Sequence, residues 1–170
     1  VVRSPLVRLS ATSTMTLFNR WRIEDQSGGQ WWDRANIGVV DAATGVRTLV
    51  SPSGGRTYNA SGIGGVCGTE GQLGWAGGNT SPTFDSWATS SWSSAALQTG
   101  TLAGVPGYLE VRYGTDPAVN NYGFRFDDLT LTDAEVETAD TQSDVCGASN
   151  LIFIGDFETG DTSQWSSVVP

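Results

Sequence analysis

In Met15-Thr-Leu-Phe-Asn-Arg-Trp-Arg-Ile23 the odd positions Met15, Leu17, Trp21 and Ile23 are apolar, whereas Thr16, Arg20, Arg22 and the following Glu24 are polar. Successive side chains of a strand point to opposite faces, so this alternation describes a half-buried β-strand. Phe18 and Asn19 are its exceptions. Upstream, Val2 to Leu9 reads as an earlier strand. Downstream, Ala35 to Val40 and Arg47 to Val50 read as a pair joined by the turn Asp41-Ala-Ala-Thr-Gly45.

Residues 53–80 carry too many glycines for a regular pattern and read as a long ordered loop, a kind that in compact domains tends to be functional. Trp87 to Leu97 follows as a strand candidate. Tyr108-Leu-Glu-Val-Arg-Tyr113 then alternates cleanly, and Tyr122 to Leu131 closes the series. No segment sustains a 3.6-residue period. Short strands at this spacing, separated by Gly and Pro turns, predict an all-β antiparallel β-sandwich of jelly-roll type with little helix. Two packed sheets are expected, their core formed by Leu17, Trp21, Ile23, Ile37, Val39, Leu109, Val111, Tyr113, Phe126 and Leu131. In the closing strand Phe124 and Phe126 put the apolar face on even positions, but Leu129 and Leu131 put it on odd ones. The phase therefore slips at Asp127-Asp128, and a β-bulge is the simplest way to slip it.

The charge inventory excludes several chemistries. There are nine Arg, no Lys and no His against 18 carboxylates, for a net charge of −9. Such a surface repels nucleic acid. Without His there is no Ser-His-Asp or Cys-His arrangement and no His-ligated zinc, and without Lys no Schiff base or P-loop lysine. A carboxylate pair of the glycosidase kind remains, but no cleft for it is legible. The expectation is a protein that is not an enzyme. No apolar run is long enough to span a membrane.

The composition changes after Thr132. Eight of the 18 carboxylates fall between Asp133 and Asp161, and no Arg follows Arg125. Three parts result: a β-sandwich module over 1–132, an acidic linker over 133–150 and a terminal segment over 151–170. Cys67 and Cys146 are either two small buried hydrophobes or a bridge, and the secreted character of the composition favours the bridge. It would close a loop of about 80 residues and contribute on the order of 4 kcal/mol by chain entropy.

Several motifs in order resemble the MAM-like jelly-roll modules found beside the catalytic domains of bacterial secreted metalloproteases, including the immune inhibitor A and fungalysin-type classes. They are Val1-Val-Arg-Ser-Pro-Leu-Val-Arg-Leu9, Leu17-Phe-Asn-Arg-Trp-Arg-Ile-Glu24, Trp32-Asp33-Arg-Ala-Asn-Ile37 and Arg56-Thr-Tyr-Asn59. Gly74-Trp-Ala-Gly77, Leu102-Ala-Gly104, Val111-Arg-Tyr-Gly-Thr-Asp116 and Tyr122-Gly-Phe-Arg-Phe-Asp-Asp-Leu129 complete the series. Gly123-Phe124 stands where that family has Gly-Trp. A separate stretch, Ile154 to Trp165, is similar to a Gly-Phe-Glu-Ser-Gly-Asp-Thr-Ser-Trp signature that ends many secreted bacterial proteins. The resemblance implies a secreted or cell-surface accessory module whose partners are a catalytic domain, a cell-surface polymer or neighbouring copies of itself. The alternative is a structural surface or filament subunit that associates through sheet edges or its terminal segment.

Glu24 ends one strand, Asp33 opens the next and Asp127-Asp128 sit at the phase slip. Calcium takes six to eight oxygen ligands from carboxylates and carbonyls, which strand ends and bulges expose. These four residues are the candidate ligands of a structural Ca²⁺. They could equally be solvated strand ends, or partners of Arg20, Arg22, Arg34 and Arg125. Adjacent Trp31 and Trp32 face opposite ways on a strand, so at least one is expected to be exposed and free to stack on a ligand.

Overall fold

The computed structural model describes residues 1–62, 64–98, 102–119 and 121–137. Seven strands and one four-residue helix are present among them: β1 (Val2–Arg22), β2 (Arg34–Asp41), β3 (Arg47–Leu49), β4 (Gly54–Gly55), β5 (Ala88–Trp92), α1 (Ser94–Leu97), β6 (Pro106–Gly114) and β7 (Gly123–Val136). The fold is all-β and antiparallel, as the alternation predicts. The two sheets expected of a sandwich are joined, however, into one hydrogen-bonded path, β3-β2-β6-β1-β5-β4, with β7 on the other side of β1.

The joining element is β1, which merges the two strands expected at Val2–Leu9 and Met15–Ile23. Its 21 residues would span about 66 Å if straight, against a radius of gyration of about 15 Å for a domain of this size. The strand must therefore curl, and three register shifts let it do so. At the first, between Arg3 and Leu6, Pro5 has no N–H to give the ladder, and Ser4 Oγ accepts the Leu109 N–H at 2.9 Å instead. At the second, Ser13 Oγ accepts the Ser10 N–H and donates to the Asp133 carbonyl, so hydroxyl groups carry the strand across a stretch with no apolar alternation. The third lies opposite Asp127-Asp128: Thr16 pairs with Thr130 but Phe18 with Asp127, and Asp128 takes φ 47°. That is the bulge the phase slip predicts. The N-terminal half of β1 pairs with β6, the C-terminal half with β5, and both halves with β7.

The core follows strand parity. Leu17, Trp21, Ile23, Ile37, Val39, Leu109, Val111 and Leu131 are buried, while Tyr113 and Phe126 pack on the rim of the cluster. Asn19 keeps parity despite its polarity: it is fully buried, and its amide donates to Ser90 Oγ at 2.8 Å. Trp21, Trp75, Trp92, Phe84 and Phe124 form an aromatic cluster with centroid spacings of 4.6–6.3 Å. The glycine-rich loop supplies Trp75. It also supplies Tyr58, whose hydroxyl accepts from Ile37 N and donates to the Val50 carbonyl. Gly74 is required there, because a Cβ would lie 2.6 Å from the Ala35 carbonyl oxygen. Glu110 is fully buried and bridged by Arg3 (2.8 Å), Arg47 (2.8 Å) and Arg112 (2.6 Å). β7 runs four residues into the stretch expected as a linker, to Val136.

Candidate metal centre

Three strand ends converge at one rim. Beyond Arg22, Ile23 N donates to the Gly77 carbonyl (2.9 Å) and Gly77 N donates to the Glu24 carbonyl (3.1 Å). Residues 77–78 thus act as a short parallel neighbour that holds Glu24 in extended backbone. Asp33 immediately precedes β2, and Asp116 lies two residues beyond β6. The pairing of Arg34 with Gly114 sets those two ends side by side. Asp116 N donates to Asp33 Oδ1 at 2.8 Å. As a result, one carboxylate oxygen each from Glu24, Asp33 and Asp116 lies within 4.8 Å of the other two.

Nothing cationic offsets this concentration of charge. The four ion pairs among the described residues involve Arg3, Arg8, Arg47 and Arg112, at other places in the fold. Arg34 adjoins Asp33 in sequence but turns its guanidinium to the Trp31 and Gln72 carbonyls. Asp33 is 1% exposed and Glu24 9%, and Asp33 Oδ2 and Glu24 Oε2 have no hydrogen-bond partner. Burial raises the Glu24 pKa, and the charges of Asp116, Asp33 and Asp25 raise it further. Burial also raises that of Asp33; the Asp116 N–H opposes this, and the Asp116 charge adds to it.

The neighbouring Asp25 shows the opposite outcome. Its desolvation is outweighed by hydrogen bonds from the Thr80 hydroxyl and from the N–H groups of Thr80, Gly78 and Asn79, so its pKa is lowered. A carboxylate whose oxygens are all bonded is content; two buried ones with orphaned oxygens are not.

No protein-family model, curated protein or solved structure matches the chain. The chemistry of the rim therefore rests on its own geometry. Oxygens bound to one calcium at ~2.3–2.6 Å lie no more than about 5 Å apart, so a single ion can bridge the three. An all-oxygen, all-anionic set selects a hard divalent cation. The residues present fit calcium, which would take the orphaned oxygens of Glu24 and Asp33 together with Asp116.

Of the four acids expected as ligands, the fold brings together Glu24 and Asp33 and leaves Asp127 and Asp128 apart. The latter two are exposed on β7, where Asp127 Oδ1 accepts the Asp128 N–H and serves the bulge. Asp116 was missed, although the rule that picked Glu24 and Asp33, an acid at a strand end, applies to it equally. Trp31 is half-buried: a Cβ on Gly77 would come within 3.2 Å of its ring. Trp32 is 38% exposed. Cys67 is exposed with φ 56°, and Cys146 lies outside the described residues.

Proposed function

We propose that this chain is a non-catalytic, extracellular accessory or binding module of a bacterial secreted protein, held in shape by one calcium ion at Glu24, Asp33 and Asp116. The carboxylate trio carries this reading. Setting two buried acids and a partly exposed third where three strand ends meet opposes folding unless a divalent cation joins them, and with one it locks the curl of β1 against β2 and β6. Sites with few, partly exposed carboxylates bind calcium weakly and suit the millimolar calcium outside cells. The MAM-like motifs, which include Glu24, Asp33 and Asp116, support the module reading. A Cys67–Cys146 bridge belongs to the reading too, since Cys67 offers an exposed thiol close to Thr115 at the same rim. Calorimetric titration of the EDTA-stripped chain should show one ion per chain, with Kd between about 10⁻⁵ and 10⁻³ M. No heat of binding up to about 10 mM calcium would overturn the metal centre.

One observation bears on the structural-subunit alternative. Among the described residues β7 pairs only with β1, so no described strand lies along its outer edge. That edge, however, carries Asp127, Asp128, Asp133 and Glu135 and is twisted by positive-φ residues at Asp128 and Asp133. Charge and bulges are the devices by which edges resist pairing. The module reading is therefore favoured over the filament reading.

A further inference from the structure

Strand parity on β1 places Phe18, Arg20 and Arg22 on the face opposite the core. Arg20 pairs directly with Arg125 of β7, and Phe18 with Asp127. Like charges directly opposite each other destabilise a sheet. Yet no carboxylate lies within ion-pair distance of Arg20, Arg22 or Arg125 among the described residues, in a protein with twice as many acids as arginines. Asp127, the acid nearest in register, has one oxygen engaged by the Asp128 N–H.

Aromatic rings hold these guanidinium groups instead. Arg20 lies 4.8 Å from the centroid of Trp87, which also stacks on Phe18 at 5.4 Å and 6°. Arg22 and Arg125 share Tyr122, at 4.8 and 5.8 Å. Both rings are exposed, Trp87 by 38% and Tyr122 by 66%. The Nε groups of Arg20 and Arg22 are buried without an acceptor, and an Nη of Arg22 donates to the Asn79 carbonyl at 3.1 Å, so Arg20 and Arg125 are the two whose terminal N–H groups have no protein acceptor among the described residues. Stacking fixes the planar forks, so little side-chain entropy remains to be lost when they bind an anion. Thr89 of β5 and Thr130 of β7 pair with Phe18 and Thr16 and so put hydroxyl groups on the same face.

The exposed rings already contact guanidinium groups and Phe18, so the surface offers N–H donors and hydroxyls beside its aromatic rings. The net charge of −9 opposes any polyanion at long range, so binding here rests on local contact with the arginines. A polymer with carboxylates spaced along a hydroxyl-rich backbone meets both sets of groups. Resting on the reading as an extracellular binding module, we infer that this face binds an acidic polysaccharide. Arg20 and Arg125 take its uronic carboxylates through their terminal N–H groups, Arg22 adds its charge beside them, and the threonines take its hydroxyls.

Affinity electrophoresis of the full chain in calcium, through gels containing polygalacturonate or neutral dextran, tests this. Retardation is expected with polygalacturonate alone. The double variant R20Q/R125Q should lose about tenfold or more in affinity per arginine removed, as charge-assisted bonds require. Its melting midpoint should not fall, because an unfavourable like-charge pair is removed. R20K/R125K keeps the charge without the fork and should fall between, while Arg8→Gln, elsewhere on β1, should bind as the parent does. Retention that is unchanged in R20Q/R125Q, or equal on dextran, would overturn this assignment and leave the module reading standing. Absence of retention on either polymer would count against both, and the calcium titration is independent of every one of these outcomes.

Discussion

Replacing Asp33 by Asn should shift stability in opposite directions with and without calcium. Asp33 Oδ1 accepts the Asp116 N–H at 2.8 Å, a bond the carboxamide oxygen retains. The lost element is the charge, on a side chain 1% exposed whose Oδ2 has no protein partner. In calcium, a site filled at a hundredfold excess over Kd contributes about 2.7 kcal/mol, and a hundredfold weakening of affinity reduces this to about 0.4 kcal/mol. Each kcal/mol moves the midpoint of a chain this long by about 2–4 °C, so a calcium-dependent rise of roughly 5–11 °C in the parent should nearly vanish in the variant.

In EDTA the sign reverses. Two charges within 4.8 Å of each other repel by at least about 3 kcal/mol at an effective dielectric of 20, and partly exposed Asp116 is screened further, so removing one of three charges should restore on the order of 1–3 kcal/mol. The variant then melts above the parent. Because folding raises the pKa of Glu24 and Asp33, their contribution is favourable below the ordinary carboxylate range and is lost as pH rises through the raised values. The EDTA difference should therefore be largest near neutrality and close on acidification. Differential scanning fluorimetry of both proteins at pH 7 and pH 4, each in EDTA and in calcium, gives the four comparisons. A parent midpoint indifferent to calcium, or equal displacement of the variant in EDTA and calcium, would refute the reasoning.

Glu110→Gln leaves Arg3, Arg47 and Arg112 without their shared counter-ion and should cost about 3–5 kcal/mol in urea unfolding. Burial raises the Glu110 pKa, but bonds and charge from the three arginines lower it on balance, so its stabilisation is present above the ordinary carboxylate range and is lost as pH falls through the lowered value. Asp128→Gly relieves a φ of 47° at an exposed bulge and should stabilise by about 0.5–1 kcal/mol, read as a raised urea midpoint at constant slope. Thiol titration of the unreduced full chain should find no free thiol if Cys67 and Cys146 are joined, and two reactive thiols would remove the bridge.

Two strands emerge within two residues of their expected ends: Tyr108–Tyr113, in which apolar and polar residues alternate in the sequence, and Ala35–Val40, which is buried on both faces and was legible from its apolar residues and the turn that follows them. The bulge at Asp128 was legible because a parity break has few structural causes. The union of two strands into β1 was hidden. Residues 10–14 show no alternation, and the bonds that carry the chain through them come from hydroxyl groups and from the Asp133 carbonyl, far away in sequence. β7 continues past its expected end because backbone pairing with β1 needs no apolar face.

The metal centre divides along the same line. Glu24 and Asp33 could be selected locally, as acids where a strand pattern stops. Which strand ends meet is a property of pairing order. The phase slip, together with the resemblance to MAM-like modules, which implies that the strand carrying Glu24 lies near the closing strand, suggested Asp127 and Asp128 as its partners. Instead β2 and β6 pair in a register that sets Asp33 beside Asp116, and the curl of β1 delivers Glu24 to both. The Arg face was missed for a related reason. Arg20 and Arg22 read as the solvated side of a half-buried strand, and only the pairing of Arg20 with Arg125 reveals that cations were set against one another without an acid between them. On both faces of β1 the informative feature is a charge whose opposite is missing. Such a charge costs stability in the isolated chain, and this is the physical ground for expecting a cation at one end of the strand and an anionic polymer along its outer face.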